Sequence, residues 1–368
     1  MIGLDNRELV MLQSLPLDIK IEKSKQRIRE AINKFGVNGV YVPVSGGIDS
    51  QVIHILVKEV QVQDGIPLES IPRVFSNTGN EYDSVMKKAR ELADVVVNPS
   101  KPLWRVLTEE GYPVGSKKVS RMLRDLQNPT EANFNSRRLY LEGIKQDGTK
   151  TKSFKMPNKW KVFINSEVRA SEKCCYWLKK EPMARYEKET GRIPILGVMA
   201  DEGGVRKVSY MQTGCNAFEG NHPQSKPIGF WLKDDSLAFT VWRKASIPEV
   251  YGDIIILDTK IKAKPIDVIE SIHEGYRLKL DTTGEKRTGC VYCTYGVTQE
   301  KGENRFQKLY KNDRKKYNFA INGGKLDDKG KLVPGNGGLG MGKVLDLMGI
   351  NYKPLDALLD GQISFELN

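Results

Sequence analysis

The hydrophobic positions of the first 110 residues alternate between helical and strand spacing. The first 35 residues read largely as helix. In SLPLDIKIEKSKQRIREAINKFG, Leu17, Ile21, Ile28 and Ile32 recur on roughly one face, Lys23 and Arg27 lie elsewhere, and Gly36 supplies the stop. Residues 39–44 are a short β-branched run, a Gly-containing turn follows, and Val52, Ile55, Leu56 and Val60 return at helical spacing. This predicts strand, loop and helix, with Pro43 awkward inside a central strand. IPRVFSN and DVVVN then predict strands, and EYDSVMKKARELA and PLWRVLTEEG predict helices. Strands alternating with helices predict βαβ units, hence an α/β fold with a doubly wound, mostly parallel sheet.

Beyond residue 112 the pattern changes. Residues 113–172 are polar, basic and weakly periodic, and read as an insertion or a partner-binding region. RIPILGVMAD predicts another strand ending in an acidic turn, and DDSLAFTVWRKA a short helix. The Gly-rich stretch around residues 335–342 predicts a mobile loop. The expected organisation is an N-terminal helical segment (1–36), a phosphate-loop half (37–112), the basic insertion (113–172), a second half of the α/β domain (173–310) and a C-terminal extension (311–368).

Composition narrows the function classes. With 368 residues, 39% hydrophobic and 28% charged, the chain can bury a sizeable core, which excludes a wholly disordered protein. No stretch approaches the roughly 20 apolar residues of a membrane span. The first 20 residues lack a basic segment followed by an apolar one, so no secretory signal and a cytoplasmic location are expected. Lys and Arg number 58 against 46 Asp and Glu, a net charge of +12. Residues 101–200 hold 21 basic and 11 acidic residues, so most of the excess lies there. A basic block suits an anionic partner such as nucleic acid or a nucleotide, or is simply a solvated Lys-rich surface.

Chemistry concentrates first at residues 45–50, SGGIDS, between a predicted strand and helix. Gly46 and Gly47 let backbone approach phosphate oxygens without a Cβ in the way. The N–H groups at a helix start attract anions, and Ser45 and Ser50 offer hydroxyl donors. Asp49 would repel phosphate and reads as a helix cap or a magnesium ligand. No GKS or GKT follows, so this is not a Walker A loop. The hexapeptide resembles the PP-loop of the adenine-nucleotide α-hydrolase superfamily, which holds the pyrophosphate of ATP while the α-phosphate is attacked. The resemblance implies that Ser45, Gly46, Gly47, Asp49 and Ser50 bind nucleotide, with Asp49 also catalytic. Residues 75–81, FSNTGNE, resemble the DTG-x-E segment of phosphoadenosine phosphosulfate (PAPS) reductases, with Asn77 in place of Asp. That adds Thr78, Gly79 and Glu81 as nucleotide-binding candidates.

The five cysteines are Cys174, Cys175, Cys215, Cys290 and Cys293. An odd number in a long chain without a signal argues against a disulfide framework. The CC and CxxC pairs suggest one four-thiolate site, for zinc or an iron–sulfur cluster, with Lys173, Lys179 and Lys180 near the first pair in sequence. CC-x3-K-x-x-P at residues 174–182 and GC-x-x-CT at 289–294 resemble segments of PAPS reductase-like proteins. The resemblance implies a 4Fe–4S cluster on Cys174, Cys175, Cys290 and Cys293. Residues 197–206 resemble a strand-end motif of the same family, with Met199 replacing its first Arg and Arg206 kept as a catalytic candidate. Arg305 resembles a nucleotide-reaching Arg, or pairs with Glu303.

A departure from that family matters as much. Its reductases attack sulfur with a Cys near the C-terminus, whereas no Cys follows Cys293 here. Cys215 is left as a core residue or a transient sulfur carrier. The resemblance therefore runs closest to the ATP-pyrophosphatase component of DNA phosphorothioation systems. It implies an ATP- and Mg2+-dependent adenylating enzyme in sulfur transfer, with nucleic acid facing the 101–200 block and a sulfur-donor or thiol partner protein. The alternatives are a PAPS or adenylylsulfate reductase, and a non-catalytic nucleic-acid-binding protein on the same fold.

Overall fold

The computed structural model describes residues 5–286 and 288–353. The chain folds into two compact units, Met1–Asn98 with Pro182–Thr288, and Pro99–Glu181 with Gly289–Asn368.

The first unit is built on a parallel sheet of four strands: β1 (Val40–Pro43), β2 (Arg73–Ser76), β3 (Val95–Val97) and β4 (Ile193–Pro194), in the order β3-β2-β1-β4. Val40, Tyr41 and Val42 are buried, as a central parallel strand covered on both faces requires. Val42 and Val44 donate their N–H groups to Pro72 and Val74 of the β2 side, at 2.9 Å each. The missing donor of Pro43 therefore faces β4, whose last ladder partner on β1 is Tyr41, and the ladder loses nothing.

Two helices precede the sheet, α1 (Asn6–Ser14) and α2 (Leu17–Phe35). The single helix expected here is broken at Leu15-Pro16, because proline disfavours helical backbone in the residue before it. Leu17, Ile21, Ile28 and Ile32 of α2 are buried as their spacing predicts. Helix α3 (Ile48–Gln63) follows β1 and buries Val52, Leu56 and Val60, while α4 (Asp83–Leu92) connects β2 to β3. The expected strand in RIPILGVMAD is only two residues long. Beyond it Gly197 lies against α3, where a Cβ would sit 2.6 Å from the Asp49 carbonyl oxygen, so the chain packs there instead of extending the ladder. The strand order decides where a site can form. The chain steps outward from β1 to β3 and then returns to the other side of β1 with β4. The loops after β1 and β4 diverge at their carboxyl ends, which opens a crevice there.

The second unit is mainly helical, with helices Leu103–Glu109, Lys117–Gln127, Phe134–Glu142, Arg305–Asn312, Arg314–Ile321 and Met341–Leu347. Residues 113–172 belong to this second unit and have a buried core of their own. Val119, Met122, Leu123 and Leu126 bury one face of Lys117–Gln127. The Gly-rich stretch is not a free loop. The hairpin Lys325–Leu326 with Leu332–Val333 leads into it, and Gly338 packs so tightly that a Cβ would lie 2.1 Å from the Asn322 carbonyl oxygen. The segment 173–310, expected as one half of the α/β domain, is divided: Pro182–Thr288 belongs with the sheet, and both cysteine pairs belong with the helical unit. Among the described residues no helix is long and apolar enough to cross a membrane.

Candidate functional site

The loop after β1 is shaped by a position that only glycine fills. Gly46 has φ +75°, and a Cβ there would lie 2.1 Å from the carbonyl oxygen of Val85. The two serines then close the loop on itself. The Ser50 hydroxyl donates to the Gly47 carbonyl at 2.9 Å and accepts from the Ser45 N–H at 3.2 Å. Helix α3 begins here with no side chain of its own capping its first turn. Tyr251 does part of that work from a distant segment. Its hydroxyl accepts the Ile48 N–H and hydrogen-bonds Thr288 Oγ1 at 2.6 Å. Burial pushes the Tyr251 phenol up, so it stays a neutral partner.

A cavity of about 310 Å³ lies against this loop. Ser45, Gly47, Asp49 and Ser50 form one wall, and Gly197, Met199, Asp201 and Glu202 form another from the chain after β4. The structure thus joins both expected catalytic residues, Asp49 and Arg206, to most of the expected loop residues. Gly46 stands just behind, turned against Val85. Arg206 forms an ion pair with Glu202 one helical turn earlier. Met199, in the place of an expected Arg, is buried and accepts a Ser236 hydroxyl hydrogen bond at 3.4 Å, so it supplies packing and no charge.

Thr78, Gly79 and Glu81 do not line this cavity. The Thr78 hydroxyl donates to both Glu81 oxygens at 2.8 Å, and the Asn80 N–H bonds the same two side chains. The buried Asn77 Oδ1 and Asn80 Nδ2 of the same turn have no hydrogen-bond partner.

Sequence reasoning missed the cations at the opposite wall. Lys233 opens the helix Lys233–Trp242, and Lys286 follows the strand Leu280–Thr282. Both line the cavity. Asp281 holds them, Oδ1 to Lys233 Nζ at 2.8 Å and Oδ2 to Lys286 Nζ at 2.7 Å. Burial opposes ionisation of Asp281, but the two ammonium groups prevail and hold the carboxyl down to about 2. No local motif marks either lysine; only the fold brings them to the loop.

The cysteines form a separate constellation in the helical unit. Cys174 and Cys175 lead into a π-helical turn, Tyr176–Lys180, and Cys290 and Cys293 close a tight turn with the Cys293 N–H donating to the Cys290 carbonyl at 3.2 Å. All four line one apolar cavity of about 30 Å³ with Leu103, Leu107 and Met341. The thiols of Cys174 and Cys175 hydrogen-bond each other. That contact, with Lys117, Lys179 and Lys180 nearby, lowers the Cys175 pKa against the effect of burial. The same contact and burial raise Cys174, and burial raises Cys293. The Tyr295 N–H points to Cys293 Sγ at 3.4 Å, and Arg305 donates to the Cys293 carbonyl at 3.1 Å. Arg305 thus braces the CxxC turn and pairs with Glu300, while Glu303 pairs with Lys311. No disulfide joins any of the five cysteines. Soft sulfur donors in an apolar pocket fit an iron–sulfur cluster chemically. Among the described residues, however, no three His, Cys, Asp or Glu side chains are gathered closely enough to hold a metal ion.

Cys215 belongs to neither site. It is buried beside Tyr210, and burial pushes its thiol up to about 11. A thiol so placed is a core residue, not a nucleophile.

No protein-family model matches the chain. No curated protein matches it. Among solved structures, it has a likeness to a phosphoadenylyl-sulfate (PAPS) reductase from Candida auris in a phosphate complex, at 13% identity and a TM-score of 0.33, covering 72% of this chain and 96% of that one. The α/β fold is shown by the parallel sheet and its strand order.

Proposed function

We propose that the cavity at the end of β1 binds the phosphates of an adenine nucleotide, and that the protein is a PP-loop ATP pyrophosphatase that adenylates an acceptor. One observation carries this reading: the 45–50 loop, Arg206, Lys233 and Lys286 share one cavity at the strand-order reversal. Anion-binding backbone and three cations on one cavity suit a phosphate-rich ligand. Asp49, in the first turn of α3, would help hold Mg2+ against the phosphates. An acceptor oxygen attacks the α-phosphorus in line, the bond to the bridging oxygen breaks, and pyrophosphate leaves. Arg206 and the lysines offset the charge that develops. A sulfide-level sulfur from a donor or thiol partner protein then attacks the activated centre, and AMP leaves with the acceptor oxygen. The acceptor is a small molecule or a nucleic acid held by the basic 101–200 region.

Cys174, Cys175, Cys290 and Cys293, which line one cavity, would hold a 4Fe–4S cluster if their side chains closed around it. Such a cluster would tie the two cysteine segments together or carry electrons. The inert setting of Cys215 favours this reading over a PAPS reductase with its own thiol.

The test uses the full chain purified without oxygen. ATP with Mg2+ is offered in one reaction, and PAPS with a thiol reductant in another. AMP and pyrophosphate from ATP, with PAPS untouched, are expected. Sulfite and adenosine bisphosphate from PAPS would overturn the reading. ATP binding that survives both Ser45→Ala and Asp49→Ala would remove the loop from the site. Iron and sulfide retained in full by Cys290→Ala would remove the cluster assignment.

A further inference from the structure

We propose that Lys233, Asp281 and Lys286 form a charge-exchange latch that counts phosphates. Asp281 holds the two lysines at the cavity wall, and the terminal phosphates of a polyphosphate tail take them over. The inference rests on the nucleotide reading above and assigns its selectivity to named residues.

Three features support it. Both lysines line the cavity with Thr282, whereas Asp281 does not, so the carboxylate stands behind the cations it holds. Each carboxylate oxygen takes one lysine, at 2.8 and 2.7 Å, so Asp281 bridges the two charges, and Lys286 also donates to the Thr282 carbonyl. The two elements carrying the lysines are themselves joined, since Asp234 accepts the Leu280 N–H at 3.1 Å and pairs with Lys279 at 3.3 Å. The lysine side chains are 45% and 47% exposed, which leaves their flexible stems free to turn. A triphosphate tail carries several negative charges against the single charge of Asp281, and charge-assisted bonds to phosphate are strong. AMP carries a single phosphate and so offers the two lysines fewer negative charges than a triphosphate tail does. The cavity therefore distinguishes ATP from AMP by the lysine pair.

Titration calorimetry of the full chain with ATP, AMP and inorganic tripolyphosphate, at fixed Mg2+, tests this. The wild-type protein should bind ATP about 30-fold or more tightly than AMP. In K233Q/K286Q that ratio should collapse toward one, because ATP affinity falls far more than AMP affinity. K233R/K286R should restore it. D281N should tighten ATP by a few-fold, about 3 to 10, because the competing carboxylate is gone. A melt confirms that each variant folds, and K286Q alone reads the same ratio if the double variant does not. An ATP-to-AMP ratio unchanged by K233Q/K286Q overturns the latch, as does a D281N variant that weakens ATP. If neither nucleotide binds, the nucleotide reading fails and tripolyphosphate decides. Binding that depends on the two lysines keeps the latch, and its absence overturns it.

Discussion

At residue scale, Gly46 shows how a local pattern carries a site. The SGG-x-DS string was readable because each residue type answers one demand of a phosphate loop, and all of them are adjacent in sequence. The backbone confirms the strictest demand, a left-handed glycine pressed on Val85. Gly46→Ala should therefore cost about 2–4 kcal/mol of stability, read as a lower urea midpoint, and displace the loop. Lys233, Lys286 and Tyr251 were not readable. They lie about 180 to 240 positions from the loop, and a lone lysine or tyrosine in sequence is indistinguishable from any other. The Thr78–Glu81 candidates lie outside the cavity at that loop: Thr78 bonds Glu81 within the turn, while the buried Asn77 Oδ1 and Asn80 Nδ2 have no hydrogen-bond partner.

His54 supplies a pH dependence at the same scale. Burial, then Arg73 and Lys58, lower its pKa from 6.5 to about 4, and its buried Nδ1 has no hydrogen-bond partner. The unfolded chain takes up a proton as pH falls through 6.5, whereas the folded chain does so only near 4. The stability that comes from keeping His54 neutral is thus full above pH 6.5 and is lost as pH falls toward 4. Between pH 7 and 5 the loss should reach at most about 2 kcal/mol. Urea unfolding at both pH values measures it. His54→Gln should flatten this part of the profile; an equally steep drop in that variant would assign it to other groups.

At element scale, a buried ion pair ties the N-terminal helices to the sheet unit. Lys20 of α2 is fully buried, and its ammonium bonds Asp235 at 2.5 Å and the Gln13 carbonyl at 2.8 Å. Asp235 also caps the helix Lys233–Trp242 by accepting the Leu232 N–H at 2.7 Å. Without Lys20 the buried Asp235 keeps only the longer ion pair with Arg277 at 3.5 Å, so Lys20→Met should destabilise by about 2–4 kcal/mol. Lys20→Met combined with Asp235→Asn should recover part of that loss. Thermal melts of the single and double variants decide it. Elements with strong periodicity, such as α2, were legible in the sequence. The helix Lys117–Gln127 within the 113–172 region was not legible although Val119, Met122, Leu123 and Leu126 have helical spacing, because the region's many charges masked a short apolar face. Strand β4 was overread because an apolar run does not reveal that one of its residues, Gly197, is pressed against a helix.

At the scale of the whole molecule, charge is distributed unevenly. Residues 113–172 carry 13 Lys and Arg against six Asp and Glu. Among the described residues, Lys145, Lys150, Lys152, Lys155, Lys159 and Lys161 form no ion pair with a carboxylate. Lys118 lies over the half-exposed Phe154 ring at 4.7 Å, and Arg137 over Phe134 at 5.9 Å. If nucleic acid is the acceptor, binding should weaken steeply with salt, and Lys150→Gln with Lys152→Gln and Lys155→Gln should lower the slope of log K against log salt by about 2 to 3. Fluorescence anisotropy with a short single strand measures it. A slope that does not change would move the acceptor elsewhere.

The interleaving of the two units sets a timetable for biogenesis. The chain leaves the sheet unit at residue 98, returns at 182 and leaves again at 288. On a ribosome, β1 waits for its second neighbour until residue 194 has emerged. The first cysteine pair waits through more than a hundred further residues for the second. Nascent protein therefore holds an unfinished sheet and a half-set of thiols for much of its synthesis, and any cluster can be installed only after residue 293 is free of the exit tunnel. Expression at low temperature, with a slower ribosome and chaperones in excess, should improve yield more for this chain than for one whose units follow each other in sequence.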